Sequence, residues 1–149
     1  MNLTLAHVGA RPTSQNLIDR QVRNYLDRCA PFAQCREEVF RSEGALFEWL
    51  ERQRGRTPVA MVLLDSRGRQ MSSETFAAWL GARRDQGAQH MVFAVGPPDG
   101  WSDAARSGAG LLLSLGPMTL AHSLARLVVA EQIYRAFAIL SGHPYHAGH

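Results

Sequence analysis

The sequence predicts an α/β protein with a mostly parallel sheet flanked by helices. The runs PVAMVLLD (58–65), HMVFAV (90–95) and LLLSL (111–115) are nearly unbroken apolar segments of strand length, as expected of strands covered on both faces. Segments with helical spacing of apolar residues lie between and around them. Each run is followed by a loop containing glycine or proline: DSRG after Leu64, GPPDG after Val95 and GPMT after Leu115. Ligands of parallel sheets bind beyond the carboxyl ends of the strands, which is where these loops fall.

In chain order, NLTLAHV (2–8) alternates as a strand and GARPTSQ turns the chain. NLIDRQVRNYLDRC (16–29) then places Leu17, Val22 and Leu26 broadly on one helical face. A weaker strand is expected near Gln34 to Phe40, and ALFEWLERQ (45–53) reads as a short amphipathic helix. The strand at 58–65 is expected to close before Arg67 and Gly68. SSETFAAWLGARR starts a helix at Ser72 or Ser73, with Glu74 placed to favour the positive helix end. After the strand 90–95 come a short helix near Ser102 to Arg106, the strand 111–115 and a last helix from about Thr119 to Leu140. That helix carries Leu120, Leu124, Leu127, Val128 and Tyr134 on one side and Ala130, Ile133 and Phe137 on a second. A helix apolar on two sides is covered on two sides, so a second subunit is expected over Ile133 and Phe137.

At 149 residues and 46% apolar composition the chain suits one domain, residues 1–149, with a real core. No apolar stretch approaches the ~20 residues that span a bilayer. The start, MNLTLAHVGA, lacks a charged segment followed by a long apolar one, so a cytoplasmic protein is expected. Cys29 and Cys35 have no third or fourth partner, which leaves ordinary reduced thiols rather than a zinc knuckle. The net charge is +3, and all 16 basic residues are arginine. Arginine suits bidentate phosphate contacts, although GC-rich coding yields the same usage, and no basic run exceeds two residues. Neither GxGxxG nor GxxxxGK[ST] occurs, so dinucleotide and phosphate-loop sites are unsupported.

The chain ends in SGHPYHAGH, in which His143, His146 and His149 recur every third residue. Three readings stand: a metal site, a polar frayed terminus, or a tail aimed at chemistry. No carboxylate or cysteine lies nearby to complete a ligand set, which weighs against the metal.

Taken together, FAVGPPDGWS, LSLGPMTLAHSLARLVVAEQIYRAFAI and HPYH resemble the small bacterial SPOUT methyltransferases, which methylate N3 of a pseudouridine in large-subunit ribosomal RNA. The likeness is strongest from Pro58 to His146, and residues 30–57 match poorly. The run TLxHxLxRxxxxEQxYRA, Thr119 to Ala136, is highly specific when paired with HPYH. The resemblance implies a homodimer, a C-terminal trefoil knot, S-adenosylmethionine as cofactor, ribosomal RNA as partner and no metal. It places the cofactor on Leu64, Gly96, Leu115, Gly116, Pro117, Met118, Thr119 and Leu120, which are positions of the three loops above. The chain departs from the family at Pro97, where relatives usually have the second glycine of GGPEG, and at Ala147, where they often have a basic residue. His149 is a candidate to replace that lost charge.

Such a methylation needs alignment of nucleophile, methyl carbon and sulfur, and removal of the N3 proton. His146 is the candidate base, and Tyr145 the candidate to hold a base carbonyl or stack on the ring. His122, in the first turn of the last helix, either orients cofactor or RNA as a neutral imidazole or is structural. Arg126, Arg135 and His143 are candidate RNA contacts, although Glu131 and Arg135 also have the spacing of a helical salt bridge. Residues 143–146 are expected to be extended because of Pro144. Two alternatives remain, a knotted dimer that binds RNA without methyl transfer and a metal enzyme using the histidine tail.

Overall fold

The computed structural model describes residues 1–147. Its centre is a five-stranded sheet in the order β2-β1-β4-β3-β5, made of β1 (Asn2–Val8), β2 (Gln34–Phe40), β3 (Val59–Gln70), β4 (His90–Val95) and β5 (Leu111–Ser114). Every neighbouring pair is parallel. The middle strand β4 is buried along its whole length, which explains why HMVFAV shows no alternation.

Five helices cover the sheet: α1 (Leu17–Arg28), α2 (Glu43–Arg54), α3 (Ser73–Asp85), α4 (Asp103–Ser107) and α5 (His122–Ser141). On one face Leu3, Leu5 and Phe93 meet Val22 and Leu26 of α1, Phe76 and Leu80 of α3, and Ile133 and Phe137 of α5. On the other, Ala6, Val8, Leu63 and Ala94 meet Leu46 and Leu50 of α2 and Ala105 of α4. Asn16, Ser42, Ser72 and Ser102 cap α1 to α4, each side chain accepting from a backbone N–H of the first turn. Such a cap typically contributes about 1 kcal/mol. The longest helix, α5, begins after Ala121 without a side-chain cap. Among the described residues no helix is long and apolar enough to cross a membrane. Cys29 is buried, Cys35 is half-buried, and both are free thiols.

Four expectations are corrected. The strand at 58–65 does not close before Arg67: β3 leaves its pairing with β5 after Leu64 and rejoins it at Arg69, so DSRG is an excursion within the strand. Gly68 permits this, since a Cβ there would lie 2.6 Å from the carbonyl carbon and oxygen of Leu112. The last helix starts at His122 and not at Thr119, because GPMTLA is spent on the loop from β5. The tail is not extended. Pro144, Tyr145 and His146 form a 3-10 turn, with His143 Nδ1 accepting from Tyr145 N at 3.2 Å. Proline fits a first helical turn, where its fixed φ helps and its missing N–H is not needed. Finally, Ile133 and Phe137 are covered by their own chain, at 0% and 1% exposure, because α5 packs against both α1 and α3.

Candidate active site

At the carboxyl edge of the sheet, three segments far apart in sequence surround one crevice of about 640 Å³. The first is the start of the β3 excursion, Leu64 to Arg67; the second is Gly96 to Trp101 after β4; the third is the β5–α5 loop, with Gly116 and Met118 to Leu120. Val95, Leu113, Leu115, His122 and Ala125 complete the lining. Of the eight residues expected to hold a cofactor, Leu64, Gly96, Leu115, Gly116, Met118, Thr119 and Leu120 line this crevice, and Pro117 does not. Trp101, which does line it, was not among those expected. Its only sequence signal was a large aromatic directly after a turn loop.

Pro97 does not deform the second segment. Its carbonyl accepts from Gly100 N at 2.9 Å, and the turn Pro97-Pro98-Asp99-Gly100 uses Pro98 at the position where a fixed φ near −65° is favourable. A Cβ on Gly96 would lie 2.7 Å from Trp101 Cε2, so glycine is required there for close approach to the indole and not for access to the crevice.

His122 reaches the crevice from the first turn of α5. Burial, followed by the charge of Arg126, holds its pKa below the usual histidine range, so the imidazole is neutral near pH 7. Its ring meets His7 edge-on at 5.5 Å; the backbone of Gly96 and Val8 works against the effect of burial, although its buried Nε2 makes no well-formed hydrogen bond among the described residues. His7 is itself held neutral by burial. Its Nε2 lies 2.8 Å from Ala10 O, and because a carbonyl only accepts, that nitrogen carries the proton.

Arg126 is not available to RNA. It is 4% exposed, with Nη1 donating to Asp19 Oδ1 at 2.8 Å and Nη2 to Glu37 Oε1 at 2.9 Å. Arg135 is also engaged, donating to Glu131 Oε1 through Nη2 at 2.6 Å and Nε at 2.9 Å. His143 is exposed, and its Nδ1 serves the tail turn.

The structure does not bring Tyr145 and His146 to this crevice in their own chain; neither lines it. Tyr145 packs its ring on Tyr134 at 4.7 Å, lies 4.9 Å from the Arg135 guanidinium and donates its hydroxyl to Glu131 Oε1 at 3.1 Å. Burial, then the bond with Tyr25, raises its phenol above the ordinary value, which keeps it a donor. His146 lies with Nδ1 2.9 Å from Arg135 Nη1 and Nε2 2.7 Å from Glu74 Oε1. A guanidinium only donates and a carboxylate only accepts, so this geometry selects the neutral Nε2–H tautomer. His149 lies outside the described residues. Among the described residues no three His, Cys, Asp or Glu side chains stand together to hold a metal ion.

The crevice suits a cofactor of nucleoside size. Its volume falls in the range of small-molecule sites, its lining combines apolar residues such as Leu64, Val95, Leu113 and Leu115 with polar ones such as Asp65, Arg67 and Asp99, and the uncapped start of α5 beside it offers backbone N–H groups and a positive dipole to an anionic group.

Comparison with known proteins follows the same lines. A family model described as "Predicted SPOUT methyltransferase" matches residues 1–146. The chain is similar to the ribosomal RNA large subunit methyltransferase H of Koribacter versatilis (strain Ellin345), 43% identical over 149 residues and covering 100% of both chains. It is 52% identical over 87 residues to the protein of that name from Brucella ovis (strain ATCC 25840 / 63/290 / NCTC 10512), a match covering 58% of this chain and 52% of that one. In structure it is similar to the SpoU methyltransferase AviRb from Streptomyces viridochromogenes in complex with the cofactor AdoMet, with TM-score 0.51, 14% identity, and coverage of 94% of this chain and 61% of that one. A probable methylase family protein from Haemophilus influenzae Rd KW20 gives TM-score 0.53 at 10% identity, covering 98% of this chain and 70% of that one. At such identities the two structures speak to the fold alone, but the family model and the full-length relative speak to descent: the chain belongs to the SPOUT methyltransferase family.

Proposed function

We propose that this protein is a single-domain, S-adenosylmethionine-dependent methyltransferase that modifies N3 of a pseudouridine in large-subunit (23S) ribosomal RNA. The observation that carries this reading is the convergence of the three expected loops on one crevice, in a chain alike from end to end to a protein named for that ribosomal RNA. The trefoil knot implied by the resemblance belongs to the same reading, as does a cytoplasmic site of action, where ribosomes are made.

When bound, S-adenosylmethionine supplies an electrophilic methyl group on a sulfonium. Backbone groups of Gly96, Leu115, Gly116 and Met118 to Leu120 would bind and orient it, with Leu64 also lining the crevice. Neutral His122 adds a polar contact without adding positive charge beside a cationic cofactor. The pseudouridine N3–H lies between two carbonyls, and its proton must leave for the nitrogen to attack. On this reading His146 takes it at Nδ1 once that nitrogen leaves its contact with Arg135 Nη1, while the ring of Tyr145 stacks on the uracil.

Because the tail is tied down away from its own crevice, it serves the crevice of a second copy. Met118, Leu120 and Leu124, at 82%, 38% and 43% exposure, form an apolar surface at the rim of the crevice and the start of α5, and a homodimer covers it. On this reading the dimer contact lies here, since Ile133 and Phe137 are buried within their own chain.

The test uses purified protein, isotopically labelled S-adenosylmethionine and ribosomes from cells lacking the gene. Label in large-subunit RNA is expected, together with calorimetric binding of S-adenosylhomocysteine. Binding of RNA without any binding of S-adenosylhomocysteine would replace this reading with that of a non-catalytic RNA-binding dimer.

A further inference from the structure

We infer that Trp101 is a positioning residue for the cofactor crevice, fastening the β3 excursion to the β4 loop and holding the crevice ready for ligand. This rests on the proposal that the crevice takes S-adenosylmethionine.

The indole is 4% exposed, and its Nε1–H donates to the carbonyl oxygen of Leu64 at 3.0 Å. Leu64 is the last residue of β3 before the strand leaves its partner β5, so nothing in the ladder with β5 fixes the backbone just beyond it. The same indole lies against Gly96 so closely that a Cβ there would come within 2.8 Å of Nε1. One side chain therefore touches two of the three segments that form the crevice.

Trp101 is itself held from three directions. Its carbonyl accepts from Arg106 Nη1 at 2.7 Å. Its ring meets Phe47 of α2 edge-on, at 6.4 Å and 84°. The next residue, Ser102, donates through its N and Oγ to the two carboxylate oxygens of Glu43, at 2.9 and 2.6 Å. Together with the two prolines of the turn, these contacts remove freedom from the Gly96–Gly100 loop before any ligand arrives. Pre-organisation of this kind acts on affinity, because ordering of the loop is not charged against binding. It leaves the chemical step alone, since the one polar atom of the Trp101 side chain is spent on Leu64.

The expected signature is a split between kinetic constants. Trp101→Phe keeps a ring beside Gly96 but removes the donor to Leu64, and should raise the KM for S-adenosylmethionine and the Kd for S-adenosylhomocysteine roughly 5- to 10-fold, the equivalent of one hydrogen bond. The kcat at saturating cofactor and the KM for ribosomes should stay within about twofold. Val22→Ala, on α1 across the sheet, should lower the thermal midpoint with cofactor KM unchanged, so that lost stability alone does not mimic the effect. Glu43→Gln, remote from the crevice, should move cofactor KM in the same direction by a smaller factor, and it carries the test if Trp101→Phe does not fold. An unchanged Kd in Trp101→Phe, or in Glu43→Gln if that variant carries the test, overturns the inference. If the wild-type protein binds no S-adenosylhomocysteine, the underlying assignment of the crevice fails and the inference falls with it.

Discussion

His146 and Glu74, 72 residues apart, meet at 2.7 Å and fasten the C-terminal tail to the start of α3. The carboxyl of Glu74 is held below its ordinary pKa, first by this bond, so the contact persists in mildly acidic solution. Neither His146 nor Tyr145 lines the crevice of its own chain. His146→Ala should therefore leave the Kd for S-adenosylhomocysteine unchanged while lowering methyl transfer by about 10² to 10⁴, the usual worth of a general base. Mixing His146→Ala protein with a crevice variant, Gly116→Val, should restore activity through hybrid dimers, with φ at +122° making the second variant's loop strained. Hybrids that stay inactive would place the tail's action within one chain.

Arg126 is bound to Asp19 and Glu37, whose side chains are themselves only 13% and 14% exposed. Its removal would leave two carboxylates partly buried beside each other. Arg126→Ala should lower unfolding free energy by about 3–5 kcal/mol in denaturant titrations. The dependence of ribosome binding on salt should be unchanged, because no phosphate contact is lost.

The two arginines show where sequence reasoning stopped. Arg126 and Arg135 look alike in the sequence, as bases on one helix. The partners of Arg126 lie 107 and 89 residues away, on α1 and β2, and local spacing carries no sign of them. The Glu131–Arg135 pair, four apart, was readable because helical geometry alone brings it together. The buried strands at 90–95 and 111–115 were readable for a similar reason, since burial on both faces leaves an unbroken apolar run. The rest of β3, Asp65 to Gln70, was not: it is polar and largely exposed, and only its last two residues, Arg69 and Gln70, pair with β5. The second apolar side of α5 was seen, but composition does not say whether a neighbouring helix or a second subunit covers it.

That distinction can be measured. Ile133→Asp should unfold the protein, because the charge enters the core between α5 and the sheet, where even truncation costs about 2–5 kcal/mol. Leu124→Asp, at an exposed position, should keep the circular dichroism of the folded chain while shifting sedimentation from dimer to monomer. A folded Leu124→Asp protein that remains dimeric would move the interface elsewhere.

Histidines set an acid limit to stability. His7 and His90 are 1% and 3% exposed, and burial first of all lowers the pKa of each. The unfolded chain, with histidine pKa near 6.5, binds protons that the folded chain refuses. Stability is therefore complete above about pH 6.5 and is lost as pH falls from there toward the lower folded values. Each histidine contributes a slope of up to about 1.4 kcal/mol per pH unit within that window. Unfolding free energies at pH 7.5, 6.5 and 5.5 check this, and His90→Gln should flatten the profile. A profile already flat in the wild type would show that the histidines charge freely in the fold.

The most direct test of the whole account is the chemical identity of the product. Ribosomes from cells lacking the gene are treated with the purified protein and labelled S-adenosylmethionine, and the 23S RNA is digested to nucleosides for mass spectrometry. The account predicts one labelled nucleoside, a pseudouridine carrying its new methyl on N3, absent when His146→Ala protein is used. A labelled methyl on any other nucleoside, on the ribose or on pseudouridine N1, or no label while S-adenosylhomocysteine still binds, would contradict it.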